Sequence, residues 1–138
     1  MVVRVVASTG ALLSTGSVSI GTLSPMSLDP VETNPAHYRV IFENERVRVL
    51  EYTDEPGQRT TVHAHPDSVM YTLSTFRRRL HQGDQHRDVE IVAGGAHWLP
   101  AQEHAGENIG DTATHTVFVE LKEPTSVAGG STLGPWTA

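Results

Sequence analysis

The sequence predicts an all-β protein, either a barrel or a sandwich, from three observations. Segments rich in β-branched and aromatic residues follow one another from Tyr38 onward, turn residues separate them at regular intervals, and no segment shows a convincing helical period. Strands this short and evenly spaced are typical of a small barrel or sandwich. The expected strands are residues 38–42, 46–52, 60–65, 69–75, 76–81, 87–92, 97–99 and 115–121.

Turn residues define where these strands end. Glycine, proline, asparagine and aspartate adopt the backbone angles that tight turns require, so their clusters mark the breaks between strands. The segment from Phe76 to Val92 is centred on one such cluster and predicts a β-hairpin. The clusters are Glu43-Asn44, Glu55-Pro56-Gly57, Gln82-Gly83-Asp84, Gly94-Gly95 and Gly110-Asp111.

The chain divides into three parts. Its 138 residues and 15.0 kDa fit a single domain with one core. Residues 1–34 are rich in Ser, Thr and Gly and predict a flexible N-terminal extension. A secretory signal is an alternative, although Ser8-Thr9-Gly10 interrupts its apolar stretch, and a domain start at Met26 is another. We expect the β-domain at 35–124 and a C-terminal tail at 125–138.

Charge and composition exclude several classes of function. The net charge of −6 and the pI near 5.7 disfavour nucleic-acid and anionic-membrane surfaces, which need a basic field. The one basic cluster, Arg77-Arg78-Arg79, alternates between two faces of a strand and forms no single patch. The chain has no cysteine and no apolar run near the roughly 20 residues that span a bilayer. We expect a cytoplasmic protein that binds neither nucleic acid nor membrane.

Three histidines form a candidate metal site. Side chains two residues apart on a strand point to the same face, so His63 and His65 can direct two imidazoles to one point. A third imidazole, from His104, would complete a facial set that leaves coordination positions open for substrate and water. Because the chain contains eight histidines, accidental neighbours that bond only to backbone are the alternative.

The stretch from Gly57 to Asn108 resembles the two sequence motifs of the cupin superfamily. Residues that match these motifs are Gly57, His63 and His65 in the first, and Gly94, Pro100, His104 and Asn108 in the second. The resemblance implies a single, jelly-roll-like cupin β-barrel. It also implies that His63, His65 and His104 bind a divalent transition metal such as Fe, Zn, Mn or Ni. His104 follows Pro100 one residue early, and Gln102 replaces a motif glycine.

The main departure from the family pattern is a missing glutamate. The position that normally supplies a carboxylate ligand falls at or next to Ser68, and the closing glycine of the first motif is absent. Asp67 is the one nearby acid, and we expect it in the turn after Pro66. Three neutral imidazoles leave a divalent ion its full charge, so anionic ligands become natural partners. The set resembles the histidine-only sites of thiol dioxygenases, β-diketone-cleaving dioxygenases and certain zinc-dependent polyketide cyclases.

Strand alternation provides candidates for the surrounding pocket. If Ser68 faces inward, Met70 and Thr72 do the same. If the face that Phe76 and Arg78 share is inward, Arg78 is a candidate clamp for a carboxylate or enolate, and a surface role is its alternative. His97 is a candidate general base or fourth ligand, with packing near Trp98 as its alternative. We expect an outer group to orient a ligating imidazole. The candidates for that role are Glu103, Glu107 and Gln58.

Two functions from different classes fit these observations. The first is a metal-dependent enzyme acting on a chelating, oxygenated small molecule, as a non-haem iron dioxygenase or a zinc-type cyclase or isomerase. The alternative is a non-catalytic module that binds a small ligand, with a structural metal or none. Small barrels of this type pair through exposed strand edges and sheet faces, so we expect a homodimer.

Overall fold

The computed structural model describes residues 26–122, and this part of the chain is nearly all β. The predicted all-β class is therefore confirmed. The elements, in chain order, are α1 (Pro30–Thr33), β1 (Tyr38–Glu43), β2 (Val47–Asp54), β3 (His63–His65), β4 (Ser68–Thr72), β5 (Phe76–Gln82), β6 (Gln85–Ile91), β7 (Ala96–Leu99), β8 (Gln102–Asn108) and β9 (Thr114–Leu121).

The strands form two antiparallel sheets that face each other. One sheet has the order β1-β2-β9-β4-β7, and the other has the order β3-β8-β5-β6. This is a jelly-roll arrangement in which hydrogen bonds do not close the described strands into a continuous barrel. The apolar core lies on the inner face of the five-stranded sheet. Its buried members are Tyr38, Leu50, Tyr52, Met70 and Phe118.

The predicted hairpin is confirmed, whereas one strand was missed. β5 pairs with β6 as far as Gln82 and Gln85, and Gly83 provides the positive φ of +55° at the turn. β8 is absent from the predicted strands, and its sequence is polar and contains Gly106. Its ladder with β3 on one side and β5 on the other outweighs that weak local propensity.

Alternation along β4 follows the expected direction. Ser68, Met70 and Thr72 are buried, whereas Tyr71 and Leu73 are exposed. The side chains of the first group therefore face the interval between the two sheets. This fixes the register that the sequence alone left open.

The folded unit includes residues that precede the expected domain. The Asp29 carboxylate caps α1 by accepting a hydrogen bond from the Val31 amide at 2.9 Å, and it also pairs with Arg48 at 2.6 Å. The carbonyl of Leu28 accepts from the Ala64 amide at 2.8 Å. Most of the predicted extension (1–25) and the predicted tail (125–138) lie outside the described residues. No helix within 26–122 is long and apolar enough to cross a membrane.

Candidate metal centre

The ladder between β3 and β8 brings the three predicted ligands together. His63 is the direct partner of His104, and His65 lies two residues further along the same face of β3. One ring nitrogen from each histidine lies within 4.8 Å of the other two. Two of the three side chains are buried and the third is half-buried. The three histidines singled out from the sequence therefore lie together in the structure.

The three imidazoles are all oriented through Nδ1. Each Nδ1 lies 2.8 Å from an oxygen acceptor: the Thr61 carbonyl for His63, the Glu120 carboxylate for His65 and the Gln102 side-chain oxygen for His104. An Nδ1 that donates its proton leaves the Nε2 lone pair free. This is the arrangement that outer partners impose on metal-binding histidines, so the cluster fits a metal ion.

The orienting groups differ from those that we expected. Glu103 lies opposite Ala64 in the β3–β8 ladder, on the exposed face, and Glu107 pairs with Arg59 at 3.7 Å. The side-chain oxygen of Gln58 caps a local turn by accepting from the Glu55 amide at 2.8 Å. All three predicted orienting residues are therefore corrected by the structure.

Burial keeps two of the ligands neutral. Desolvation, partly offset by the hydrogen bond to Thr61, lowers the pKa of His63 to about 4. Desolvation also lowers the pKa of His104 to about 3, and repulsion from His63, His65 and Arg78 adds to the effect. Both rings are uncharged at neutral pH and can donate lone pairs without first losing a proton.

The usual carboxylate is missing from the cluster, as the sequence indicated. The grouped ligands in the described range are three histidines, with no acid among them. Ser68 is fully buried, and its Oγ has no hydrogen-bond partner among residues 26–122. Asp67 accepts from the Ala101 amide at 2.8 Å, which confirms its place in the turn. A hydroxyl, that of Tyr38, lies 3.0 Å from Nε2 of His63 and 3.4 Å from Nε2 of His65.

A cavity of about 570 Å³ opens onto the triad between the two sheets. His63 and His104 form part of its wall, and this volume suits a small-molecule ligand. Most of the remaining wall is apolar, which favours an organic ligand. Apolar side chains that line it include Met70, Phe76, Leu80, Val89, Ile91 and Phe118.

Arg78 is a buried cation in the same cavity. Its Nη1 pairs with the Asp54 carboxylate and lies 3.3 Å from Oγ1 of Thr114, while the guanidinium lies 4.9 Å from the centre of the Tyr52 ring. Within residues 26–122, its Nε and Nη2 atoms donate to no protein acceptor. A Cβ at Gly106 would overlap Nη2, so this glycine provides the space for the guanidinium. The arginine therefore has donors to spare for a ligand.

The other two arginines of the run and the predicted His97 lie nearer to solvent. Arg77 is exposed and Arg79 is half-buried on the face opposite to Arg78, so the alternation predicted for the run is confirmed. His97 is exposed on β7, opposite Met70 in the β4–β7 ladder, and lines the cavity outside the triad. It is placed to meet a ligand that enters, and it is not grouped with the three metal-ligand candidates.

Known structures share this fold. A cupin domain from Bordetella pertussis Tohama I is 30% identical, with a TM-score of 0.59, and the match covers 62% of this chain and 92% of that domain. An RmlC-like cupin family protein with a double-stranded β-helix fold from Methanocaldococcus jannaschii is 14% identical, with a TM-score of 0.51 and coverage of 61% and 77%. The polyketide cyclase RemF from Streptomyces resistomycificus is 22% identical, with a TM-score of 0.49 and coverage of 62% and 64%. No protein-family model and no curated protein matches the sequence.

Proposed function

Because this chain belongs to the cupin superfamily, we propose that it is a metal-dependent enzyme acting on a chelating, oxygenated small molecule. The observation that carries the proposal is the state of the three histidines. Their Nδ1 atoms are engaged by protein oxygens, and two of the three, His63 and His104, line a cavity large enough for a ligand. Such preorganisation would be superfluous in a core that only packs.

His63, His65 and His104 would hold a divalent transition metal such as Fe, Zn, Mn or Ni. A bound iron would supply oxygen activation, and a bound zinc would supply Lewis-acid polarisation of a carbonyl. The three imidazoles contribute no charge, so a bound divalent ion would keep its full charge and favour a ligand that binds as an anion.

Arg78 and Thr116 would form an anion subsite beside the metal centre. His104 and Gly106 are two residues apart on one face of β8, about 7 Å along the strand, and Arg78 packs over Gly106. Thr116 lines the cavity, is 1% exposed, and its Oγ1 has no hydrogen-bond partner among residues 26–122. A carboxylate or enolate oxygen could accept from both side chains while another donor atom of the same ligand binds the metal.

His97 would exchange protons with the bound ligand. It lines the same cavity and is exposed, so its ring can exchange protons with solvent and a ligand in turn. His97→Gln tests this role. We expect it to lower kcat while metal content stays unchanged. An unchanged kcat would contradict the role.

Elemental analysis of protein purified without chelator tests the metal centre. We expect about one transition metal per chain in the wild type and loss of that metal in His63→Ala. His86→Ala is the matched control because His86 is exposed on the hairpin, away from the triad. An empty wild-type site under metal-replete conditions, or equal metal content in His63→Ala, would contradict the proposal.

Turnover assays separate the enzyme from the binding module. The metal-loaded protein is supplied with an enolisable β-diketone, a thiol carboxylate and an α-hydroxy ketone while oxygen uptake and product formation are followed. Conversion that depends on the histidines supports the enzyme. A stoichiometric metal and tight binding of these probes without conversion would favour the non-catalytic module instead.

A homodimer remains part of the proposal. On the outer face of the five-stranded sheet, the ladders place Val49, Val119 and Val69 side by side, and all three are half-buried. A contiguous apolar row on a sheet face is a typical surface for self-association. Light scattering at micromolar concentration should give twice the chain mass, and Val119→Glu should give a monomer. A wild-type monomer would contradict this assembly.

A further inference from the structure

Tyr38 reaches the triad from the opposite sheet. It is 5% exposed and lies on β1, where its ring packs against Tyr52 and Phe118 with centroid distances of 4.6 and 6.1 Å. Within residues 26–122, its hydroxyl has two hydrogen-bond partners, and both are Nε2 atoms of metal-ligand candidates. We propose that Tyr38 is the fourth protein ligand of the metal centre, an inference that rests on the metal site proposed above.

The distances agree with a shared ion. Two donors that each lie about 2.1 Å from one metal ion are about 3.0 Å apart at a right angle and about 3.4 Å apart at the tetrahedral angle. The Tyr38 oxygen lies 3.0 Å from Nε2 of His63 and 3.4 Å from Nε2 of His65. Both distances are therefore those expected between two ligands of one ion.

An ordinary hydrogen bond explains this arrangement less well. The Nδ1 atoms of His63 and His65 donate to Thr61 and Glu120, so both Nε2 atoms are acceptors. The phenol has one proton to offer to these two acceptors, and one lone pair is left without a partner. An ion between the three atoms satisfies all of them. On binding, the phenol proton passes to solvent, and the O–M bond replaces the O–H bond.

A phenolate would also supply the charge that the missing glutamate does not. Three neutral imidazoles leave a divalent ion uncompensated, whereas one anionic oxygen restores the charge of a three-histidine, one-anion set. Ser68, at the position of the family glutamate, carries a neutral hydroxyl and not a carboxylate, so it does not provide that anion. The fourth ligand has thus moved from β4 to β1, on the same inner face of the same sheet.

Charge-transfer spectroscopy with Fe(III) as the probe tests this ligand. A phenolate bound to Fe(III) gives a visible phenolate-to-iron absorption band, and resonance Raman excitation in that band shows phenolate ring modes. The chain has three tyrosines, so three single variants assign the signal. We expect the band in the wild type, in Tyr52→Phe and in Tyr71→Phe, and its loss in Tyr38→Phe.

The outcomes separate this inference from the metal site itself. Tyr38→Phe should still bind one Fe(III) through the histidines, whereas His63→Ala should lose the metal. One Fe(III) per wild-type chain without the band, or a band that survives in Tyr38→Phe, overturns Tyr38 as a ligand and leaves the metal centre standing. A wild type that binds no Fe(III), Fe(II) or Zn(II) overturns both.

Discussion

Two buried polar clusters lie beside one cavity and differ in whether the protein itself provides the partners for their polar groups. The ion-pair cluster consists of Asp54, Arg78, Asn108 and Thr114, and the triad cluster consists of the three histidines. In the first, the cation and the anion come from the protein, and Asn108 adds a hydrogen bond of 3.0 Å to Asp54. In the second, the outer nitrogens are engaged, but within residues 26–122 no cationic side chain pairs with the inner nitrogens.

The difference shows which cluster has its charges compensated within the protein and which still lacks a cation. Buried charges persist when a partner compensates them, and the pairing of Asp54 with Arg78 achieves this between β2 of one sheet and β5 of the other. Asn108, the last residue of the second motif, belongs to this structural cluster and also donates to the Thr112 carbonyl at 2.9 Å. The triad, as far as residues 26–122 show, has no charged protein partner of this kind, so its natural complement is an external cation.

Removal of Asp54 should give the largest effect, because it breaks the closed cluster. Asp54→Ala leaves Arg78 as an uncompensated buried cation, and we expect the free energy of unfolding to fall by about 3–5 kcal/mol. Denaturant titration measures this change. The matched control is Asp88→Ala, which breaks the exposed pair with Arg79 at 2.7 Å and should leave the free energy of unfolding nearly unchanged.

Removal of both charges sharpens the comparison. The double variant Asp54→Ala/Arg78→Met should recover a large part of the loss, since no buried charge then remains unpaired. Equal destabilisation in Asp54→Ala and Asp88→Ala would show that the ion pair is solvated and that the two clusters do not differ in the manner described.

The second prediction concerns the triad cluster, where the loss should appear in metal affinity. Glu120 accepts from His65 at 2.8 Å and is 2% exposed, so Glu120→Gln keeps the shape but removes the charge that strengthens the imidazole as a donor. We expect Zn(II) affinity, measured by competition with a chelator, to fall about 10- to 100-fold. Glu51→Gln is the control, because Glu51 contacts His115 outside the cavity. Equal affinities in the two variants would contradict the role of Glu120.

Much of the fold and the set of metal-ligand candidates could be predicted, because both depend on patterns within short segments of the sequence. Alternating side chains on β4 and β5, glycine at the hairpin, and the spacing of His63 and His65 all depend on residues near one another in sequence. β8 escaped prediction because its local composition is that of a loop, and only its two neighbouring strands make it extended. Nonlocal pairing of this kind leaves no signal in a short window.

The partners of the histidines were harder to predict for a similar reason. Glu120 is 55 residues from His65, and the two meet because β9 and β3 lie in facing sheets. One signal was present: Glu120 follows Phe118 on the inward face of an alternating strand, and an acid in that place needs a partner. Tyr38 gave no comparable signal, since an inward tyrosine is an ordinary core residue.

The pH dependence of the metal-free protein tests the neutrality of the triad. Burial lowers the pKa of His104 from 6.5 to about 3. Between these two pH values, His104 is protonated in the unfolded chain and neutral in the folded chain. The free energy of unfolding should therefore fall with falling pH through this range. Between pH 7 and pH 5, we expect His104→Gln to lose about 1–2 kcal/mol less than the wild type.

His86→Gln provides the control for this titration, because its ring is exposed on the hairpin, away from the triad. It should follow the wild-type curve. If the free energy of unfolding depended on pH equally in the wild type and in His104→Gln, the folded protein would accommodate a charged imidazole at the triad. The two clusters would then not differ in how they tolerate charge.

The smallest expected effect has the opposite sign and comes from Thr116, which lies on the inner face of β9 between Thr114 and Phe118. Its buried hydroxyl has no hydrogen-bond partner among residues 26–122, and this destabilises the ligand-free protein. Thr116→Val keeps the shape of the side chain and should raise the free energy of unfolding by about 1 kcal/mol. If the hydroxyl binds the ligand, the same variant should weaken binding of anionic probes to the metal-loaded protein. Higher stability together with weaker binding would identify Thr116 as a ligand-binding residue, whereas unchanged binding would assign Thr116 to the fold alone.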